Sequence, residues 1–137
     1  MIRNSVIQLY FRRILLKGFE EDAINLPIQY ENTESENLDG TYLIEQLIPL
    51  DDKCFSGLFE AGSGIYKITV FGNSGEGLAF SDLCDTIANY FSLGTHEINE
   101  HYKVCIDNVS VTGMLYSMNE DKIQKSINVE YRKFFNK

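Results

Sequence analysis

Two stretches of the chain alternate with period two, and they constrain the fold more than any other feature. In "GSGIYKITVFG", Tyr66, Ile68 and Val70 share one face, with Lys67 and Thr69 on the other. In "SINVEYRKFF", Ile127, Val129 and Tyr131 share a face, with Asn128, Glu130 and Arg132 opposite. Successive strand side chains point to opposite faces, so both segments predict an antiparallel sheet with one face covered and one in water. "YKVCIDNVSVTG" predicts another strand, whose apolar set slips by one residue at Asp107–Asn108, the mark of a β-bulge. "TYLIEQLIPL" reads as a strand ended or bent at Pro49. "LPIQYEN" reads as a short strand that Pro27 confines to an edge or a strand start.

A sheet with one apolar face needs a cover, and two helices are available to supply it. Within residues 76–92, Phe80, Leu83, Cys84, Ile87, Ala88 and Phe91 recur at three- and four-residue steps. Asn73 and Glu76 have capping-box spacing at the start of that helix, and Gly94 stands where it should end. Residues 2–17 predict a helix closed by Gly18. Its apolar residues, including Ile7, Leu9, Phe11, Leu15 and Leu16, spread over more than one face, as in a helix packed on two sides. "TESENLDG" reads as a solvated loop. The order helix, strands, helix, strands predicts one α+β domain over residues 1–137. Its architecture is an antiparallel (mixed) β-sheet with two main helices packed on one face. A chain of 137 residues with 44% hydrophobic content is enough for one core and hardly enough for two.

Charge narrows the function classes. The net charge is −8, and residues 20–60 alone hold eleven acidic residues against Lys53. That segment therefore carries −10, and the rest of the chain, with nine acidic and eleven basic residues, carries +2. Affinity for nucleic acid comes mainly from Lys and Arg neutralising phosphates, so a simple DNA-binding module is not expected. An acidic patch suits a basic partner, or a passage through which DNA slides without sticking. No apolar run approaches the roughly 20 residues of a membrane span. "MIRNSVIQLYFRRILLKG" reads as a helix in preference to a signal peptide, lacking a small-residue cleavage site. The cysteines Cys54, Cys84 and Cys105 are odd in number and unpaired in spacing, which points to a reducing compartment.

Four motifs invite catalytic or binding readings, and none assembles a site. "VFGNSGEGLAF" places Gly72, Gly75 and Gly77 between a strand and a helix. No Lys follows as a Walker loop requires, the spacing reverses the dinucleotide fingerprint, and Glu76 opposes phosphate. The segment reads as a tight turn in which glycine permits positive φ. In "HEINEH", His96 and His101 are five residues apart, about 140° on a helix, and a zinc site needs a third ligand. A solvated polar turn is the plainer reading. Cys84 falls on the helix stripe as a core thiol, whereas Cys105 should face the opposite side of the sheet. Cys54 lies beside Asp51 and Asp52, which disfavour a thiolate. Those two carboxylates have no partner acid or base in view. The expectation is no catalytic residue, no cofactor and no metal.

The order of these pieces resembles the tail terminator family of long-tailed bacteriophages. The likeness rests on Tyr30 and Asn32, on Gly40, Tyr42 and Pro49, on Tyr66 and Ile68, and on Asp85, Ile87 and Phe91. It covers most of the chain. The family more often carries Trp before the Asn and before the last strand, and this chain has no Trp. What the resemblance implies is a structural role without enzymatic activity. A ring, commonly of six subunits, would cap the tail tube, stop its polymerisation and offer the head-joining surface. The implied partners are further copies of the chain, the tail tube protein and a head-completion or connector protein. DNA would only pass through the lumen, and no membrane is involved. The implied place is the virion tail, assembled in the bacterial cytoplasm, with a prophage as one source of the gene. A related connector or tube subunit, or a small-ligand-binding domain or hydrolase, are the alternatives. Between the second and third strands, "DDKCFSGLFEA" predicts an extended hairpin arm without regular structure. Asp51, Asp52, Phe55, Leu58 and Phe59 within it are the expected assembly interface.

Overall fold

The computed structural model describes residues 4–30, 40–56, 59–117 and 121–136, and for 51–56 and 59 the backbone alone. The elements run in the order α1 (Asn4–Glu21), β1 (Ile28–Gln29), β2 (Tyr42–Ser56), β3 (Phe59–Asn73), α2 (Gly77–Ala88), β4 (Gly94–Glu97), β5 (Tyr102–Val111), β6 (Leu115–Ser117) and β7 (Lys122–Asn136). They build one seven-stranded sheet in the order β1-β2-β3-β7-β5-β4, with β6 also paired to β7. Every pairing is antiparallel except β1 with β2, so the sheet is mixed and the class is α+β, as the sequence predicts. Within β1, Ile28 follows Pro27 and lies on the sheet edge, where a missing N–H costs no ladder bond.

Both helices cover one face. Tyr66, Ile68 and Val70 of β3 and Ile127, Val129 and Tyr131 of β7 are buried beneath them, together with Leu43 and Leu47 of β2 and Val104 and Ile106 of β5. Phe11 of α1 sits at the centre, stacked on Tyr66 at 5.1 Å and inclined to Tyr131 at 5.2 Å. The β5 register shifts between Ile106 and Asn108, the bulge that the sequence predicts. Val109 and Val111 thereby return to the covered side, opposite Val129 and Ile127.

Several boundaries differ from expectation, each for a local reason. Gly18 does not end α1, because its lack of a side chain serves packing. A Cβ there would lie 2.5 Å from the Tyr90 ring. The helix closes three residues later, with Ala23 at φ 54°, Ile24 N–H donating to the Phe19 carbonyl and Ala23 N–H to that of Glu20. This is a Schellman motif with alanine where glycine is usual. The helix start at α2 is not a capping box. Asn73 belongs to β3 and accepts from Lys122 Nζ across the pair, and Glu76, the capping residue, makes no side-chain cap bond. Nor does Gly94 cap α2, which ends at Ala88; Gly94 opens β4 at φ 112°. The N-terminal helix buries one stripe, Ile7, Phe11, Leu15, Gly18 and Phe19, and leaves Leu9 and Leu16 exposed on its other side. "TESENLDG" lies almost wholly outside the described residues.

Candidate functional site

The largest departure from the sequence reading is the arm. Residues 51–56 and 59–60 are not irregular: β2 continues past Pro49 through a register shift and stays paired to β3 from Asp51↔Ser63 to Ser56↔Phe59. β3 is in turn paired to β7 down to Phe59↔Asn136. Ladder bonds come from the backbone, which any residue but proline supplies, so polar residues such as Asp51 and Asp52 do not prevent a strand. Three 15-residue strands make this the long end of the sheet, about 50 Å from tip to base at 3.3 Å per residue. Asp51, Asp52, Phe55 and Phe59 thus stand on the β2–β3 hairpin, while Leu58 lies outside the described residues.

Among the described residues the outer margin of β2 is open. β1 pairs only with Leu43 and Ile44, and among the described residues no strand pairs with β2 from Glu45 to Ser56 on that side. An unpaired strand edge is a template for another chain. The opposite margin is built differently. There β4 is a four-residue edge strand, and α1 runs beside it. Tyr10 Oη donates to His96 Nδ1 at 2.7 Å, and His96 Nε2 donates to the Ser92 carbonyl at 2.8 Å. A carbonyl only accepts, which fixes the proton on Nε2 and makes Nδ1 the acceptor. Between α1 and the end of β4 lies a groove of about 600 Å³. Val6, Leu9 and Ile14 of the helix and Ile98 form its apolar wall, and Arg13 and Lys17 its basic rim.

One buried polar cluster ties α1 to the β2 margin. The Glu45 side chain is fully buried and accepts from Arg12 Nε at 3.0 Å, an Arg12 terminal nitrogen at 2.6 Å, Gln8 at 2.9 Å and Tyr66 Oη at 2.5 Å. Arg12 also lies 4.1 Å over the Tyr30 ring. Desolvation, reinforced by the adjacent carboxylate, raises the Tyr66 phenol well above its ordinary range, and hydrogen bonding to Glu45 raises the Arg12 guanidinium. Sequence reasoning missed this cluster and counted Glu45 in the acidic surface. The signal was present: the alternation Leu43–Glu45–Leu47 puts a carboxylate on the apolar face, where it needs a cation.

No family model matches the chain. No curated protein matches it. A solved structure whose name carries no functional description superposes with a TM-score of 0.72, covering 97% of this chain and 96% of that one at 14% identity. At that identity the likeness establishes the fold alone.

The remaining sequence candidates are held apart. His96 belongs to an edge strand, not a polar turn, and His101 Nδ1 donates to the Asn136 carbonyl at 2.7 Å, so each ring has its own partner. Among the described residues no three potential metal ligands converge. Gly75 takes φ 97° in the turn and Gly72 gives way to Phe80, whose ring would sit 2.7 Å from a Cβ. Cys84 is buried, and desolvation pushes its thiol up to about 11. Cys105 lies on the other face, 3.5 Å from both Asp107 and Arg132. The Arg132 hydrogen bonds hold the Asp107 carboxyl below its usual range. The side chain of Cys54 is outside the described residues. At the far end of the sheet Leu78, Leu115 and Tyr116 are exposed, near the start of α2. Among the described residues no helix is long and apolar enough to cross a membrane.

Proposed function

We propose that this chain is a structural assembly protein of the tail-terminator kind, whose copies join side by side into a ring. The ring caps a tail tube, stops its growth and presents the surface to which the head is joined. The observation that carries the reading is the pair of unlike margins, an open β2 edge on one side and the α1–β4 groove on the other. Unlike complementary margins make head-to-tail contacts, which close into a ring when the rotation closes. The apolar flank of α1 and the exposed residues near α2 add surfaces that a monomer has no use for. The partners under this reading are further copies of the chain, making six in all, a tail tube protein and a head-completion or connector protein. DNA passes the lumen without specific binding, which suits a net charge of −8. No cofactor or catalytic step is part of it.

The test is the tube-length distribution when the protein is added to polymerising tube subunits. A terminator stops growth and is found at tube ends, whereas a tube subunit would be incorporated along the length. Phe55→Ser with Phe59→Ser should leave melting nearly unchanged while tubes overgrow and heads fail to join. Normal virion yield from a stable double variant removes the hairpin from the interface. Unchanged tube growth with the native protein overturns the function.

A further inference from the structure

The two margins meet at one level of the sheet, which specifies a contact. The β2–β3 hairpin ends at Ser56 and Phe59, and Phe59 is opposite Asn136. On the other margin Tyr102 is opposite Phe135, and the turn that holds Ile98 folds onto Tyr102 through Ile98 N–H and the Tyr102 carbonyl at 3.0 Å. The hairpin end and the groove therefore sit at the same height on opposite sides. A neighbour brought round without a rise along the strands meets one with the other, and a contact without rise closes instead of climbing into a filament.

The chemistry also matches. The hairpin segment 51–60 carries Asp51, Asp52 and Glu60 against Lys53, with Phe55, Leu58 and Phe59 between them. The groove offers Arg13 and Lys17 at its rim above an apolar wall. Its acidic member, Glu97, is already paired with Lys103 at 3.6 Å. Arg13 has no ion pair among the described residues, and Lys17 has only the exposed Glu21 at 4.0 Å. A volume of about 600 Å³ falls within the range of ligand-sized pockets.

We infer that the α1–β4 groove receives the end of the β2–β3 hairpin of a second copy of this chain, Arg13 and Lys17 facing Asp51 and Asp52 across the interface. The inference rests on the ring reading and adds the residues that join neighbours.

Charge exchange tests it. One variant carries Arg13→Glu and Lys17→Glu, the other Asp51→Lys and Asp52→Lys, and assembly is followed by light scattering after size exclusion. Each variant alone sets like charges against each other and should stay monomeric, with circular dichroism and melting close to the native protein. Mixed in equal amounts, every hairpin again meets a groove of opposite charge, and alternating rings should form. The milder Arg13→Gln with Lys17→Gln should weaken association about three- to tenfold and flatten its salt dependence, as expected for exposed pairs. If the native protein assembles and the reversed variants assemble equally well alone, the groove is not the receptor, although the ring stands. Folded reversed variants that stay monomeric in the mixture overturn the pairing. Should a reversed variant misfold, a salt response of the Gln pair identical to native overturns it instead. A native protein that stays monomeric at every concentration overturns the ring and the groove together.

Discussion

Arg12 offers a sharp test of how the helix is held to the sheet. Arg12→Met keeps much of the aliphatic stem but removes the guanidinium that Glu45 accepts from through both oxygens, at 3.0 and 2.6 Å. Gln8 and Tyr66 remain, at 2.9 and 2.5 Å, so the carboxylate keeps two neutral donors and loses its only cation among the described residues. Breaking a buried ion pair from one side costs about 3–5 kcal/mol, because the other charge stays buried. The Arg12 side chain is 25% exposed while that of Glu45 is fully buried, so water can reach the vacated space and the lower end, about 3 kcal/mol, is expected. For a chain of this length that corresponds to a melting temperature lower by roughly 10–15 °C. The partner variant decides the cause. Glu45→Gln combined with Arg12→Met removes both charges, and the amide oxygen so introduced can still accept from Tyr66. The pair should therefore cost about 2 kcal/mol less than the sum of the singles. Thermal and urea unfolding of the three variants measure this. A single-variant cost below about 1 kcal/mol, or strict additivity in the double, would refute the reasoning and make the cluster an ordinary surface pair.

Other consequences follow from individual residues. At Gly64→Ala the new Cβ would press on Tyr131 Oη and lie 2.8 Å from the Ile48 carbonyl, which is backbone and cannot swing away. Urea unfolding should show a loss of about 3 kcal/mol. Ala23→Gly relieves an alanine held at φ 54° and should gain about 0.5–1 kcal/mol by the same assay, the reverse of the usual effect of adding glycine. Burial pushes the Cys84 thiol up to about 11, so it stays neutral near pH 8. Iodoacetamide followed by mass mapping should therefore modify Cys105 well before Cys84 in the folded protein, and Cys84 only on unfolding or as pH approaches 11.

What could be read from the sequence depended on whether side chains or backbone decide the structure. The faces of β3 and β7 are set by burial, and burial writes a period of two into residues such as Tyr66, Ile68 and Ile127, Val129. The stripe of α2 is set the same way, with Phe80, Cys84 and Ile87 buried. The second half of β2 is held by ladder bonds to β3, which leave no mark on side-chain type, so "DDKCFS" gave no strand signal. β4 and β6, of four and three residues, are too short to carry a period. Turn chemistry misled where glycine had two uses: Gly18 and Gly72 make room for aromatic rings, while an alanine, Ala23, takes the left-handed position that closes α1. The hairpin residues Asp51, Asp52, Phe55 and Phe59 lie within the paired strands β2 and β3 and not in an irregular arm between strands, and the groove on the opposite margin was invisible. It is formed by residues 6–17 and 97–99, far apart in the chain, and by the flank of α1 that looked like a second packing face.

Head-to-tail association is the central claim, and native mass spectrometry across a concentration series addresses it most directly. The account predicts one closed assembly, a single multiple of the 15.7 kDa chain mass, six copies under the tail-terminator reading, in exchange with monomer. A protein that remains monomeric throughout, or that stops at a two-fold dimer, would contradict it, because a dimer uses one margin twice and leaves the other unmatched.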